Sequence, residues 1–74
     1  MNLNDQTFLR HVGDRVRELR TSRKMTQLQL GESAGLHRTV IGSVERGERN
    51  IAILSLRRIA KALRVSVAKL VGED

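Results

Sequence analysis

A chain of 74 residues with 14 basic and 8 acidic side chains, a net charge of +6, has room for one small domain with a marginal core. It has no cysteine and only two histidines, His11 and His37, which excludes disulfides, thiolate metal sites and a four-ligand zinc site; we expect neither metal nor cofactor. No apolar run approaches the roughly 18 residues of a membrane span and the first residues do not form a signal peptide, so neither a membrane-spanning nor a secreted protein is expected.

Hydrophobic residues make up 39% of the chain and recur at helical spacing, which sets disorder aside. Phe8, Val12, Val16 and Leu19, spaced by four, four and three, line one face of a first helix. Asn4 or Asp5 is its expected cap, and it runs out near Arg23–Lys24. Met25 reads as a core gap-filler, and Thr26 as the N-cap of a short second helix that turns Leu30 and Ala34 inward. Gly35 follows where a helix C-terminus needs a left-handed residue. A third segment, about His37 to Arg46, places Ile41 and Val44 on one face; Gly47 ends it, and Glu48, Arg49 and Asn50 form a polar loop. A fourth stripe is Leu56, Ile59, Ala60 and Leu63, with Ser55 as the expected cap. A last turn or two, from Ser66 to about Val71, carries Val67 and Leu70. No segment alternates at period two long enough for a strand, so the expected fold is all-α, five helices in a single domain over residues 1–74.

The informative stretch is Thr26 to Gly47, two short helices separated by Ala34-Gly35-Leu36. A glycine-containing turn of this length makes a helix-turn-helix, whose second helix can enter a major groove, although an ordinary helical hairpin shares the local pattern. Leu30 and Ala34 must pack on Ile41 and Val44, and Gly31 leaves room for a close crossing of the two backbones. That packing is expected to direct Arg38, Thr39, Gly42 and Ser43 outward as a group, on a face that is small and polar apart from Arg38 and Val40. Eleven of the 14 basic residues are arginine, whose planar fork suits phosphates and guanine edges. The sole aromatic, Phe8, argues against a single-strand binder that stacks bases on aromatic platforms.

Across the chain, Leu19-Arg20, Thr26-Gln27, Leu30, Ala34-Gly35-Leu36, Ile41, Val44-Glu45-Arg46-Gly47, Leu56, Ile59-Ala60-Lys61-Ala62-Leu63 and Val65 resemble the lambda-repressor-like helix-turn-helix family. Within it, His37-Arg38-Thr39 leading to Glu45-Arg46-Gly47-Glu48-Arg49-Asn50 is most similar to controller proteins of restriction–modification systems. The resemblance implies that Arg38, Thr39 and Ser43 face base edges. It implies phosphate contacts for Gln27, Arg46, Arg49 and Asn50, and a place for Val40 near the backbone or a thymine methyl. Arg20 and Glu45 match a charged pair tying the first helix to the third. Two departures stand out. Ile51 replaces a proline common after the loop asparagine, and Glu32 is the sole acid between Lys24 and Glu45, where activating relatives carry several.

Ile51, Ile53, Leu54, Val67 and Val71 exceed what a monomeric core needs, and Ile53, Leu54, Val67 and Val71 are assigned to a dimer interface. Leu28 is a further surplus apolar residue on the wrong face of its helix, and Arg57, Lys61 and Arg64 form a solubilising face. Both histidines read as surface or capping residues, and Ser43 with His37 does not make a nucleophile and its base. The resulting expectation is a non-enzymatic, homodimeric transcriptional regulator that binds palindromic operators in double-stranded DNA, the controller of a restriction–modification operon. RNA polymerase is a further candidate partner, and the cytoplasm of a bacterium or phage host, at the nucleoid, is the expected location. A phage or antitoxin-type autorepressor is the alternative of the same class, and a protein-binding adaptor with this fold the alternative of another.

Overall fold

The computed structural model describes residues 2–73, which form five helices: α1 (Leu3–Ser22), α2 (Gln27–Ala34), α3 (Arg38–Glu45), α4 (Ile53–Ala62) and α5 (Val67–Val71). No strand occurs among the described residues, and no helix is long and apolar enough to cross a membrane. α3 packs against α1 and α2, α2 also lies on α4, and α5 closes the structure against α1 and α4. Each helix contributes to one core: Val12 and Val16 from α1, Leu30 and Ala34 from α2, Ile41 and Val44 from α3, Leu56, Ile59 and Ala60 from α4, and Leu70 from α5.

The start and stop signals act largely where the sequence puts them. Thr26 caps α2 in a capping box, its hydroxyl accepting the Gln29 N–H at 3.0 Å while the Gln29 side chain accepts the Thr26 N–H at 2.8 Å. Gly35 ends α2 in the left-handed region at φ +69°. Ser66 caps α5. Two caps differ from expectation. α1 begins earlier, at Asn2, whose side chain accepts the Asp5 N–H at 2.8 Å, so Asp5 sits in the first turn, where a carboxylate suits the helix dipole. α4 begins two residues before Ser55, after Ala52, with no side-chain cap at all; Ile53 and Leu54 extend the helix outward from the core.

Glycine decides how closely the elements approach. A Cβ at Gly13 would collide with the carbonyl oxygen of Val44 and lie 2.7 Å from that of Glu45, so α1 crosses the last turn of α3 backbone to backbone. The space beside Gly31 admits both the turn and the start of α3: a Cβ there would sit 2.5 Å from the Leu36 carbonyl oxygen and 3.3 Å from the backbone nitrogen of Arg38. Gly13→Ala is expected to destabilise the fold by about 1–3 kcal/mol, because the crowding outweighs the helix propensity gained. Urea unfolding followed by circular dichroism tests this, and an unchanged or raised midpoint would show that α1 can retreat from α3 at no cost.

Candidate nucleic-acid interface

α3 is held at both ends. At its start, Nδ1 of His37 accepts the Thr39 N–H at 3.1 Å and lies 2.9 Å from the Thr39 hydroxyl, so the imidazole is the N-cap. Near its end, the Glu45 side chain points inward and is fully shielded from solvent, beside Arg20, which is 13% exposed. Arg20 Nε donates to Glu45 Oε2 at 2.6 Å and Nη2 to Oε1 at 3.0 Å, a two-pronged contact, while Nη1 donates to the Met25 carbonyl at 2.8 Å. One guanidinium thereby ties α1, the link to α2, and α3.

Gln27, the first residue of α2, completes the cluster by donating from Nε2 to Glu45 Oε1 at 3.1 Å. Arg17, one turn before Arg20, adds its charge 3.6 Å from Oε1. Sequence reasoning missed both contacts. The signal for Arg17 was its i, i+3 spacing from Arg20, which places two arginines on the side of α1 that meets α3. Burial pushes the Glu45 carboxyl upward, but hydrogen bonds from Arg20 and then Gln27, together with the charges of Arg20 and Arg17, more than offset it and hold it below its ordinary value. The hydrogen bond to Glu45 raises Arg20 against the opposing effect of burial.

The outward side of α3 carries exposed Arg38 and Thr39 in the first turn and half-buried Ser43 one turn later. Gly42 does not join them: it is buried because the long side chains of Gln27 and Arg46 fold across its bare backbone, so that a Cβ would lie 3.4 Å from Gln27 Oε1 and 3.1 Å from Arg46 Nη1. Val40 is half-buried against the core rather than free at the surface. Arg46 is exposed at the C-cap, its Nε donating to Glu48 Oε1 at 3.0 Å, a pairing that sequence reasoning also missed. Gly47, at φ +71°, turns the chain into the loop that exposes Arg49 and Asn50. The residues assigned to a dimer interface divide into two kinds. Ile53 and Leu54 are 67% and 63% exposed at the start of α4, whereas Val67 and Val71 are half-buried and pack on the core. Leu28 stands half exposed on α2. No group of three potential metal-ligating side chains converges among the described residues.

Residues 16–70 match the helix-turn-helix family. The control protein C.SmaI of Serratia marcescens is 51% identical over 59 residues, which cover 80% of this chain and 70% of that one. Among solved structures, the restriction-modification controller protein C.AhdI of Aeromonas hydrophila superposes with a TM-score of 0.81 at 39% identity, covering 84% of this chain and 94% of the other. The P22 c2 repressor, solved in complex with a synthetic operator, matches with a TM-score of 0.80 at 32% identity over 85% of this chain and 96% of its own.

Replacing Glu45 by glutamine removes the charge that satisfies Arg20 and should cost about 3 kcal/mol or more, a large share of the roughly 5 kcal/mol available to a domain of this size. Glu48→Gln, at an exposed ion pair, should cost less than about 1 kcal/mol. Because the folded carboxyl is depressed, its contribution is present above the ordinary glutamate value and lost as pH falls through the lower, folded value. The stability gap between wild type and Glu45→Gln should therefore narrow on acidification. Thermal melts across pH check this; equal losses for the two variants would make Glu45 an ordinary surface acid.

Proposed function

The chain belongs to the helix-turn-helix family, and on that premise we propose that it is the homodimeric controller of a restriction–modification operon, acting at palindromic operators. The protein is a DNA-binding transcriptional regulator, not an enzyme. The observation that carries the proposal is the state of α3: a short helix locked from inside by Glu45, with Arg38 and Thr39 exposed in its first turn, the end that meets base edges when such a helix enters the major groove. The likeness to control proteins over most of the chain supports the more specific setting.

One such helix reads only a few base pairs, so a dimer on an inverted repeat supplies the missing specificity, with half-sites about 10 base pairs or a multiple apart. Exposed Ile53 and Leu54 are the apolar surface for that pairing, with half-buried Val67 and Val71 as contributors from α5. Arg38 and Thr39 read bases, while Gln27, Arg46 and Asn50, with Val40 beside them, follow the backbone. Regulation then acts on RNA polymerase at the adjoining promoter, in the cytoplasm, where the operon lies.

Selection from random duplex DNA should enrich an inverted repeat, whereas recovery of no motif would favour a protein-binding adaptor. Leu54→Glu should weaken self-association without loss of helical content; sedimentation as a monomer at concentrations that saturate a palindromic site would sink the dimer. Arg38→Ala should cost about 1–3 kcal/mol per half-site and relax discrimination at one base pair. Arg46→Ala should instead weaken all duplexes together and reduce the salt dependence of binding. If Arg38→Ala affects operator and scrambled duplex equally, Arg38 is another phosphate contact.

A further inference from the structure

Arg49 leaves the loop after Gly47 and turns back over the recognition helix, where its Nε donates to the Ser43 hydroxyl at 2.7 Å. That hydroxyl in turn donates to the Val40 carbonyl at 2.9 Å, so its hydrogen is used within the helix and one of its two lone pairs is used by the guanidinium. Ser43 consequently has no donor left for a base edge in this arrangement. Arg49, with Nε engaged, keeps both terminal nitrogens, the end-on fork that can donate to O6 and N7 of guanine. The contrast with Arg46 is informative. Arg46 is turned to the Glu48 carboxylate, whereas Arg49 is held by a neutral hydroxyl and pairs with no carboxylate among the described residues. Thr39 lies one turn earlier than Ser43, on the same side of the helix as the hydroxyl that holds the guanidinium.

We infer that Ser43 and Arg49 form one reading unit: Ser43 is a positioning residue that aims Arg49, and Arg49 makes a base contact with guanine. This division differs from the one the family resemblance implies, in which Ser43 meets a base and Arg49 a phosphate. It rests on the reading that the protein recognises an operator.

The test uses the selected operator, every single-base-pair variant of one half-site, and a scrambled duplex. Binding is measured for wild type, Ser43→Ala, Ser43→Thr, Arg49→Ala and the double alanine variant at several salt concentrations. Arg49→Ala should lower operator affinity about tenfold or more per half-site and flatten the preference at one G·C pair, with less than about threefold change on scrambled DNA. Ser43→Ala should flatten the same pair, the double variant should be no weaker than Arg49→Ala alone, and Ser43→Thr, which keeps the hydroxyl, should keep the preference. A structural role alone would not move discrimination at one position. If the two single substitutions flatten different pairs and their losses multiply, Ser43 reads on its own and the unit does not exist. If Arg49→Ala weakens every duplex alike and reduces the salt slope by about one, Arg49 is a phosphate contact. A wild-type protein that binds operator and scrambled duplex equally overturns the operator reading itself, and this arm alone identifies that failure.

Discussion

A charged side chain with no exposure stands at the centre of this fold, and its partners decide whether the fold exists. Glu45 lies at the end of α3, where a carboxylate gains nothing from the helix dipole, and it is fully shielded from water. Burying such a charge unpaired would cost more than a small domain can tolerate. Three nitrogens within hydrogen-bond distance, two from Arg20 and one from Gln27, offset the loss of hydration, with the Arg17 charge nearby. An apolar pair of the same volume could hold the helices as tightly, or more so. What an ion pair adds is direction. Two parallel bonds permit one relative orientation of α1 and α3, whereas leucines would permit several.

That orientation matters because the outer face of α3 has to be aimed. The cluster fixes one end of the helix to α1 and α2, the His37 ring closes the other end, and the Gly13 contact brings the two backbones together with no side chain between them. The outward side chains of α3 therefore stand on a helix whose rotation about its axis is fixed from beneath. Recognition on rigid elements loses less conformational entropy on binding than recognition on a loop. The loop that follows, opened by Gly47, reaches back to that same helix through Arg49 and Ser43, so even the irregular segment takes its position from α3.

Periodic apolar positions were legible in the sequence because burial repeats at helical spacing: Val12, Val16, Leu30, Ile41, Ile59 and Leu63 all lie at or near zero exposure. Thr26 and Gly35 were legible because capping chemistry is local. The start of α4 was not, since a serine at the right distance outranked an alanine with no capping group. Gly42 was misplaced for a related reason. Helical geometry puts it on the outer side, but whether a position is open depends on long side chains arriving from elsewhere, here Gln27 and Arg46. Gly13 carried a readable signal, a glycine inside a long helix where alanine would be favoured, although its contact surface on α3 could not be read from spacing.

Glu45 and Glu48 show how burial turns the same chemistry to opposite ends. Both carboxylates accept from an arginine Nε, at 2.6 Å and 3.0 Å, and they lie three residues apart. Around Glu45 water is excluded, so the attraction is weakly screened. At Glu48 both partners are more than half exposed, so the pair is worth well under 1 kcal/mol and salt weakens it further. A phosphate approaching Arg46 meets a contact that yields at little cost, while Glu48 keeps the unbound guanidinium near the end of α3. Glu48 also returns a negative charge beside Arg46, so the loop's own positive field is tempered. In a chain with six excess positive charges, such tempering limits the sequence-independent part of the attraction to a polyanion.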